Sequence, residues 1–231
     1  MTESATILPR RAARARLLWL AVVLAALLLL GALSVAIGTR QVGLDDILAG
    51  LRGEVGTIAQ AAVSARIPRT VLAALAGASL GLSGALMQGV TRNPLADPGI
   101  LGVNTGAALA VVVAVAWFQI SAAHSFIWVA ICGAGATAVF VYAIGSLGRG
   151  GATPLKLALA GTATSIAFYS LVVAVMLTRG DIAGGLQAWQ IGGVGGATFA
   201  RMQPVLPFLA LGLLLAMASA RKLNSLALGD E

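Results

Sequence analysis

The stretch that decides the fold runs from Arg66 to Ala107 and reads RIPRTVLAALAGASLGLSGALMQGVTRNPLADPGILGVNTGA. Its uncharged, apolar part from Thr70 to Thr91 is long enough for a helix to cross the hydrocarbon core of a bilayer. Asn93-Pro94 and Asp97-Pro98 follow, and a residue that precedes proline is disfavoured in the helical region. The stretch therefore predicts a transmembrane helix and then an ordered, non-helical connector.

The composition of the whole chain agrees with a membrane protein. Of the 231 residues, 59% are hydrophobic and 10% are charged, and the mean hydropathy is +0.95. This leaves too little polar surface to cover a water-soluble globule. A soluble enzyme, a disordered protein and a secreted disulfide scaffold are therefore excluded. The single cysteine, Cys132, cannot form an intrachain disulfide.

Segments without charged residues locate the membrane spans. They predict an all-α polytopic membrane protein with about six transmembrane helices. The predicted parts are a basic cytoplasmic arm at 1–16, spans near 17–37, 70–90, 100–120, 126–147, 157–178 and 202–220, and a cytoplasmic segment at 221–231. The Gly-rich segment 182–200 is too poor in apolar residues to span alone, so we expect a short extracytoplasmic helix and turn before the last span. The first segment is interpreted as a retained helix, with a signal peptide as the alternative.

The net charge of +7 is interpreted as membrane anchoring and not as nucleic-acid binding, because the basic residues flank the apolar segments. With both termini inside, nine basic residues lie on the inner side and six on the outer side. Two of the outer six, Arg66 and Arg69, flank Pro68, which we expect in the first turn of the second span. Cations at a helix N-terminus oppose the helix dipole, which indicates an acidic partner outside; interfacial snorkelling is the alternative.

The predicted spans carry no Asp, Glu, Lys or Arg at their centres, which disfavours an ion-coupled secondary transporter. The chain has no phosphate-binding P-loop motif and only one histidine and one cysteine. No metal site, nucleotide site or catalytic constellation is therefore expected. Gly77, Gly81 and Gly84 form a stripe on the second span, and this stripe predicts close packing against another helix.

The quoted stretch closely resembles the signature region of the FecCD-type permeases, which are membrane subunits of ABC importers for iron-siderophores, haem and cobalamin. Three later stretches resemble the same family in the same order: LALAGTATS at 157–165, WQIGGVGGATFARMQPVLP at 189–207 and LNSLALGDE at 223–231. The resemblance implies a multi-pass permease in the bacterial plasma membrane. It also implies three partners: an ABC ATPase subunit that holds ATP and Mg, an extracytoplasmic substrate-binding protein, and a second permease copy.

The resemblance further implies roles for individual residues. Arg66 and Arg69 would form salt bridges with glutamates of the substrate-binding protein. The remaining roles would be a cytoplasmic gate at Asn93, Leu95, Leu155 and Leu159, and contact with the ATPase at Leu226, Ala227, Leu228 and Gly229.

Family members continue beyond LNSLALGDE with further spans, whereas this sequence stops at Glu231. The expectation is therefore a fragment or a truncated gene product. The leading function is the permease of an importer for an iron-siderophore, with haem or cobalamin as other substrates of the family. The alternative is a truncated, non-transporting membrane scaffold derived from such a permease.

Overall fold

A computed structural model of the chain describes residues 8–120, 123–148 and 151–228. These residues form helices and no strand. The helices are α1 (Leu8–Ala36), α2 (Leu44–Leu51), α3 (Ile58–Thr91), α4 (Val103–Phe118), α5 (Ala123–Gly145), α6 (Pro154–Thr178), α7 (Gly180–Ile191), α8 (Phe199–Met202) and α9 (Leu206–Leu228). A short 3-10 turn, Pro98–Leu101, precedes α4. The prediction of an all-α fold is confirmed.

Four helical segments are long and apolar enough to cross a membrane: Arg14–Ala36, Ile58–Thr91, Ser125–Gly145 and Pro154–Thr178. Two shorter apolar segments, Val103–Phe118 and Leu206–Ala220, complete the set. Each of the six predicted spans therefore overlaps one apolar helix, and the chain is a multi-pass membrane protein. The number of crossings and the side of each terminus stay predictions.

The Gly-rich segment before α9 contains a short helix and a turn, as the composition predicts. The helix α7 ends at Ile191, and the chain then turns at Gly192, Gly193 and Gly196, whose φ angles are 73°, 148° and 73°. These left-handed angles are accessible to glycine at little steric cost. The position of this short helix and turn on the extracytoplasmic side stays a prediction.

The helix α3 begins at Ile58, so the placement of Pro68 in the first turn of a helix is wrong. The start is fixed by Thr57, whose Oγ1 accepts a hydrogen bond from the Gln60 backbone N–H at 3.1 Å. In return, the Thr57 N–H donates to Gln60 Oε1 at 3.2 Å. This reciprocal capping box satisfies two N–H groups and starts the helix well before the uncharged segment. Arg66 and Arg69 therefore lie inside α3, and the dipole argument for an acidic partner fails.

Contacts divide the chain into two compact units, and the first contains the described residues up to Ala74 together with Gly196–Thr198. In this unit α2 lies against the start of α3, where Gly50 faces Val63 so closely that an added Cβ would be 2.7 Å from the valine Cβ. In the same unit, α1 contacts α3 through a hydrogen bond of 2.8 Å between the hydroxyls of Ser34 and Thr70.

The second unit contains Leu75–Gly195 and the described residues from Phe199 onward. The helices α4, α5 and α6 pack against one another here, with Val111, Val112 and Val172 fully buried between them. The crossing of α4 and α5 is close because glycines face each other: a Cβ on Gly133 would be 2.7 Å from the Gly106 carbonyl oxygen.

The predicted glycine stripe on α3 does not pack against a helix in the part of the chain that the structure describes. A Cβ added to Gly77, Gly81 or Gly84 would have no other atom within 4 Å. The reason is the rotation of the helix: the face of α3 that borders a cleft with α9 carries Leu75, Ser79, Leu82 and Leu86, which point away from the stripe. Small residues permit a close approach but do not cause one.

Candidate functional site

The connector between α3 and the 3-10 turn, residues 92–97, is held by side-chain hydrogen bonds. The helix α3 stops where Arg92 takes a left-handed φ of 52°. Asn93 Oδ1 accepts from the Leu95 N–H at 3.0 Å, and Gln88 Nε2 donates to the Pro94 carbonyl at 3.0 Å. Because the turn and the end of α3 are bonded to each other, the predicted ordered, non-helical connector is confirmed.

The 3-10 turn that follows rests directly on α6. Asp97 Oδ1 accepts from the Gly99 N–H at 2.6 Å and so caps the turn, and Gly102 at a φ of 70° leads the chain into α4. Gly161 of α6 faces the Ile100 carbonyl oxygen with no room for a side chain: an added Cβ would collide with that oxygen. The turn is therefore fixed to α6 by backbone contact.

A cavity of about 560 Å³ lies between the connector, the end of α3, α5 and the start of α6. Its walls are mainly aliphatic, with Asn93, Thr91 and Tyr142 as polar groups. Ile100 and Leu101 of the 3-10 turn also line it. Such a cavity can hold a sizeable apolar or weakly polar group, and it offers few hydrogen bonds to retain one.

The structure brings together two of the four predicted gate residues. Asn93 and Leu155 line the same cavity, although 62 positions separate them in the sequence. Leu95 and Leu159 do not line it, and their exposed fractions are 85% and 63%. The role of all four as a gate stays a prediction.

The start of α6 is fixed by its own cap. Thr153 Oγ1 accepts from the Lys156 N–H at 3.4 Å, and Pro154 occupies the first helical turn. The Lys156 ammonium donates to the carbonyls of Leu147, at 3.4 Å, and Gly151, at 3.1 Å. These bonds place Leu155 at the cavity.

Arg66 and Arg69 have different surroundings. The Arg66 guanidinium donates to the carbonyls of Val35, Ala36 and Arg40 at 3.0, 3.1 and 2.9 Å, whereas Arg69 is exposed. The docking role predicted for the two arginines stays a prediction. Sequence reasoning missed the bonds of Arg66, because they depend on where α1 ends.

A second arginine, Arg179, joins three helices of the second unit. At the junction of α6 and α7 it donates to the Ala116 carbonyl near the end of α4 at 2.5 Å, and it forms an ion pair with Asp181 at 2.9 Å. The hydrogen bond to Asp181, assisted by the charge of the carboxylate, raises the pKa of Arg179. The same contact lowers the pKa of Asp181. Asp181 therefore stays ionised, and paired with Arg179, to a lower pH than an isolated aspartate does.

This pair predicts a pH dependence of stability. The stabilisation by Asp181 should be fully present above the ordinary carboxyl pKa and should be lost as the pH falls through the lowered pKa of the folded protein. Asp181→Asn should lower the midpoint of thermal unfolding in detergent at neutral pH, by less as the medium is acidified. Asp45→Asn, at an exposed carboxylate of α2, is the control. Equal pH profiles for Asp181→Asn and the unmodified protein would refute this role.

The predicted ATPase contact lies at the limit of the described residues. The helix α9 ends at Leu228. The side chains of Leu226, Ala227 and Leu228, and all of Gly229, lie outside the described residues. Their role stays a prediction.

Comparison with known proteins gives one family for almost the whole chain. The model of the FecCD transport family matches residues 26–231. The chain is 46% identical over 166 residues to FhuB, the permease of an iron(3+)-hydroxamate import system of Bacillus subtilis. These residues are 72% of this chain and 43% of FhuB. It is also 38% identical to FepD, the ferric enterobactin transport permease of Escherichia coli, over 207 residues. These residues are 89% of this chain and 62% of FepD.

A solved structure has the same fold. It is described as a metal-chelate type ABC transporter in an inward-facing conformation. The superposition has a TM-score of 0.68 at 24% sequence identity and covers 86% of this chain and 60% of the other chain. The chain spans about half the length of the relatives it matches: 43% of FhuB and 62% of FepD.

Proposed function

Because the chain belongs to the FecCD transport family, we propose that it serves as the membrane-spanning permease subunit of an ABC importer for an iron chelate. The family match over residues 26–231 carries this proposal. The relatives are named as permeases for iron(3+)-hydroxamate and ferric enterobactin, and these names support an iron-siderophore as the cargo. The bacterial plasma membrane is the corresponding location.

The proposed mechanism is alternating access. A substrate-binding protein delivers the chelate on the outer side, and a partner ATPase uses ATP with Mg to drive the change of conformation. A second permease copy completes the pathway. The cavity between Asn93 and Leu155 would act in the inner gate, since its walls come from α3, α5, α6 and the connector, and a relative movement of these elements changes its size.

The weak polarity of the described spans supports a bulky solute as the cargo. In the described spans the hydroxyl groups of Ser79, Thr91, Thr137 and Thr164 donate to carbonyls one turn earlier in their own helices. Their donor hydrogens are thereby used within the helix, and few strong donors remain for the cargo. Such walls can pass a large chelate without binding it tightly.

The proposal is tested by uptake of a radiolabelled ferric siderophore in cells that lack their own permease. The full-length permease, its ATPase and its binding protein should restore uptake, and depletion of ATP should abolish it. Uptake that survives ATP depletion and collapses with an uncoupler would contradict an ABC importer. A scaffold without transport function would fail to restore uptake, and it would also fail to co-purify with the ATPase.

Charge reversal of Arg69 should weaken docking of the substrate-binding protein. Charges at the rim of an interface chiefly govern the association rate and its salt dependence. For Arg69→Glu we therefore expect an association rate that is lower by about tenfold at low salt and less reduced at high salt. Arg52→Glu, at an exposed position after α2, is the control. Unchanged docking of Arg69→Glu at low salt would remove the role assigned to Arg69.

A further inference from the structure

The short helix α2 carries an apolar face that the described residues leave uncovered. Leu44, Leu48 and Leu51 are spaced by four and then three residues, so they share one side of the helix, the leucine face. Their exposed fractions are 80%, 54% and 57%. The charged side chains of Asp45 and Arg52 are exposed beside this face. The helix α2 is therefore amphipathic, and its apolar side lies on the surface of the chain.

The contact of α2 with α3 fixes the direction of the leucine face. Gly50 lies against Val63, with an added Cβ only 2.7 Å from the valine Cβ, so this is the side of α2 that packs. At 3.6 residues per turn, Leu48 lies about 160° around the helix from Gly50. The start of α2 is also held, because Asp46 Oδ1 accepts from the Thr57 hydroxyl at 3.4 Å. The leucine face cannot turn onto α3 unless these contacts break.

The position of α2 along α3 corresponds to the surface layer of a bilayer. The uncharged segment of α3 begins at Thr70, and Val63 lies seven residues earlier, which is about 10 Å along the helix axis. The interfacial layer outside the hydrocarbon core is about 5–8 Å deep on each side. A helix with its side chains has a radius of about 5–6 Å. Side chains of a helix at the level of Val63 therefore reach into this layer.

The lipid-facing surface of α1 ends close to the same level. The helix α1 is long and apolar enough to cross a membrane, and its large side chains are exposed. Its Ser34 is hydrogen-bonded to Thr70 of α3, and Ile37, three residues further on, is 69% exposed. The apolar surface of α1 thus extends about 4.5 Å past Thr70, which leaves about one helical turn to the level of Val63. The leucine face continues the surface that lipid already covers on α1.

We propose that α2 is an interfacial helix whose leucine face, Leu44, Leu48 and Leu51, inserts into lipid at the bilayer surface where α1 ends. Insertion removes three leucine side chains from water, and this burial drives the binding. The lipid is zwitterionic, because α2 contains two acidic residues and no basic one and so does not attract anionic head groups. The inference needs only a multi-pass membrane protein and does not depend on the cargo.

Spin labels on the full-length permease in nanodiscs of phosphatidylcholine test the leucine face. A single labelled cysteine replaces Leu44, Leu48 or Leu51 in a background without other cysteines, and Asp45→Cys and Arg52→Cys are the matched controls on the polar side. The readout is the collision rate of the label with oxygen, which is enriched in lipid, and with a water-soluble nickel chelate. We expect a ratio of oxygen to nickel collisions that is higher by about fivefold or more at the three leucine positions than at the controls.

Three other results would each overturn the inference. Equal ratios at Leu48 and Asp45 would place the leucine face in water. Labels shielded from both reagents would show that polypeptide covers the face, from the rest of the permease or from a second copy. Nickel collisions that disappear only when the substrate-binding protein is added would make the face a docking surface for that protein. Uptake is not measured in this experiment, so a failure of the proposed function would leave its result unchanged.

Discussion

Gly133→Val will force α4 away from α5 and remove much of the thermal stability of the permease. A Cβ at position 133 would collide with the Ala110 Cβ and would lie 2.7 Å from the Gly106 carbonyl oxygen. Overpacking of a close-packed core costs about 1–3 kcal/mol. We expect the upper part of this range, because one of the two obstacles is backbone, which cannot rotate away as a side chain can.

The control for this experiment lies on the same helix. Gly135 is exposed, and an added Cβ there would have no other atom within 4 Å, so Gly135→Val should change stability little. Both variants lose a glycine and gain a β-branched residue, so their difference isolates the helix crossing from helix propensity. The measurement is the midpoint of thermal unfolding in detergent. Equal midpoints for the two variants would mean that the α4–α5 crossing is less close than the structure has it.

The positions of the helices follow from the sequence more directly than their ends do. Charged residues are costly in the hydrocarbon core, so uncharged segments overlap all six apolar helices. A helix can nevertheless continue beyond the membrane, and capping decides where it begins. The uncharged segment at Thr70 therefore gave the wrong start for α3, whereas the pattern Thr57-x-x-Gln60 is the sequence signal that would have given the right one.

The candidate site was predictable in its local parts and not in its contacts. Proline and asparagine near position 93 determine a connector because they act on their own backbone. The joint cavity of Asn93 and Leu155 depends on how α6 packs beside the connector, and the hydrophobic pattern of one helix does not determine this. The same limit explains the glycines. Gly77 and Gly133 look alike in the sequence, yet only Gly133 faces a neighbouring helix.

Gly161→Ala is expected to impair transport more than it impairs folding. The new Cβ would collide with the Ile100 carbonyl oxygen, so the 3-10 turn must move away from α6. Ile100 and Leu101 line the cavity that also contains Asn93 and Leu155, and a displaced turn changes the shape of this cavity. If the displacement raises the barrier of the gating step by about 1.4 kcal/mol, uptake of a ferric siderophore falls about tenfold.

The control for Gly161→Ala is Ala163→Ser, which also adds one heavy atom to α6 but at an exposed position. This variant should transport as the unmodified permease does, and both variants should be present in the membrane in similar amounts. Uptake by Gly161→Ala at the unmodified rate would show that the turn does not set the gate. A loss of uptake that follows a loss of protein would assign Gly161 to folding alone. A tenfold loss with protein retained requires that the contact between α6 and the turn shapes the pathway, because the substitution adds no charge, no polar atom and no bulk elsewhere.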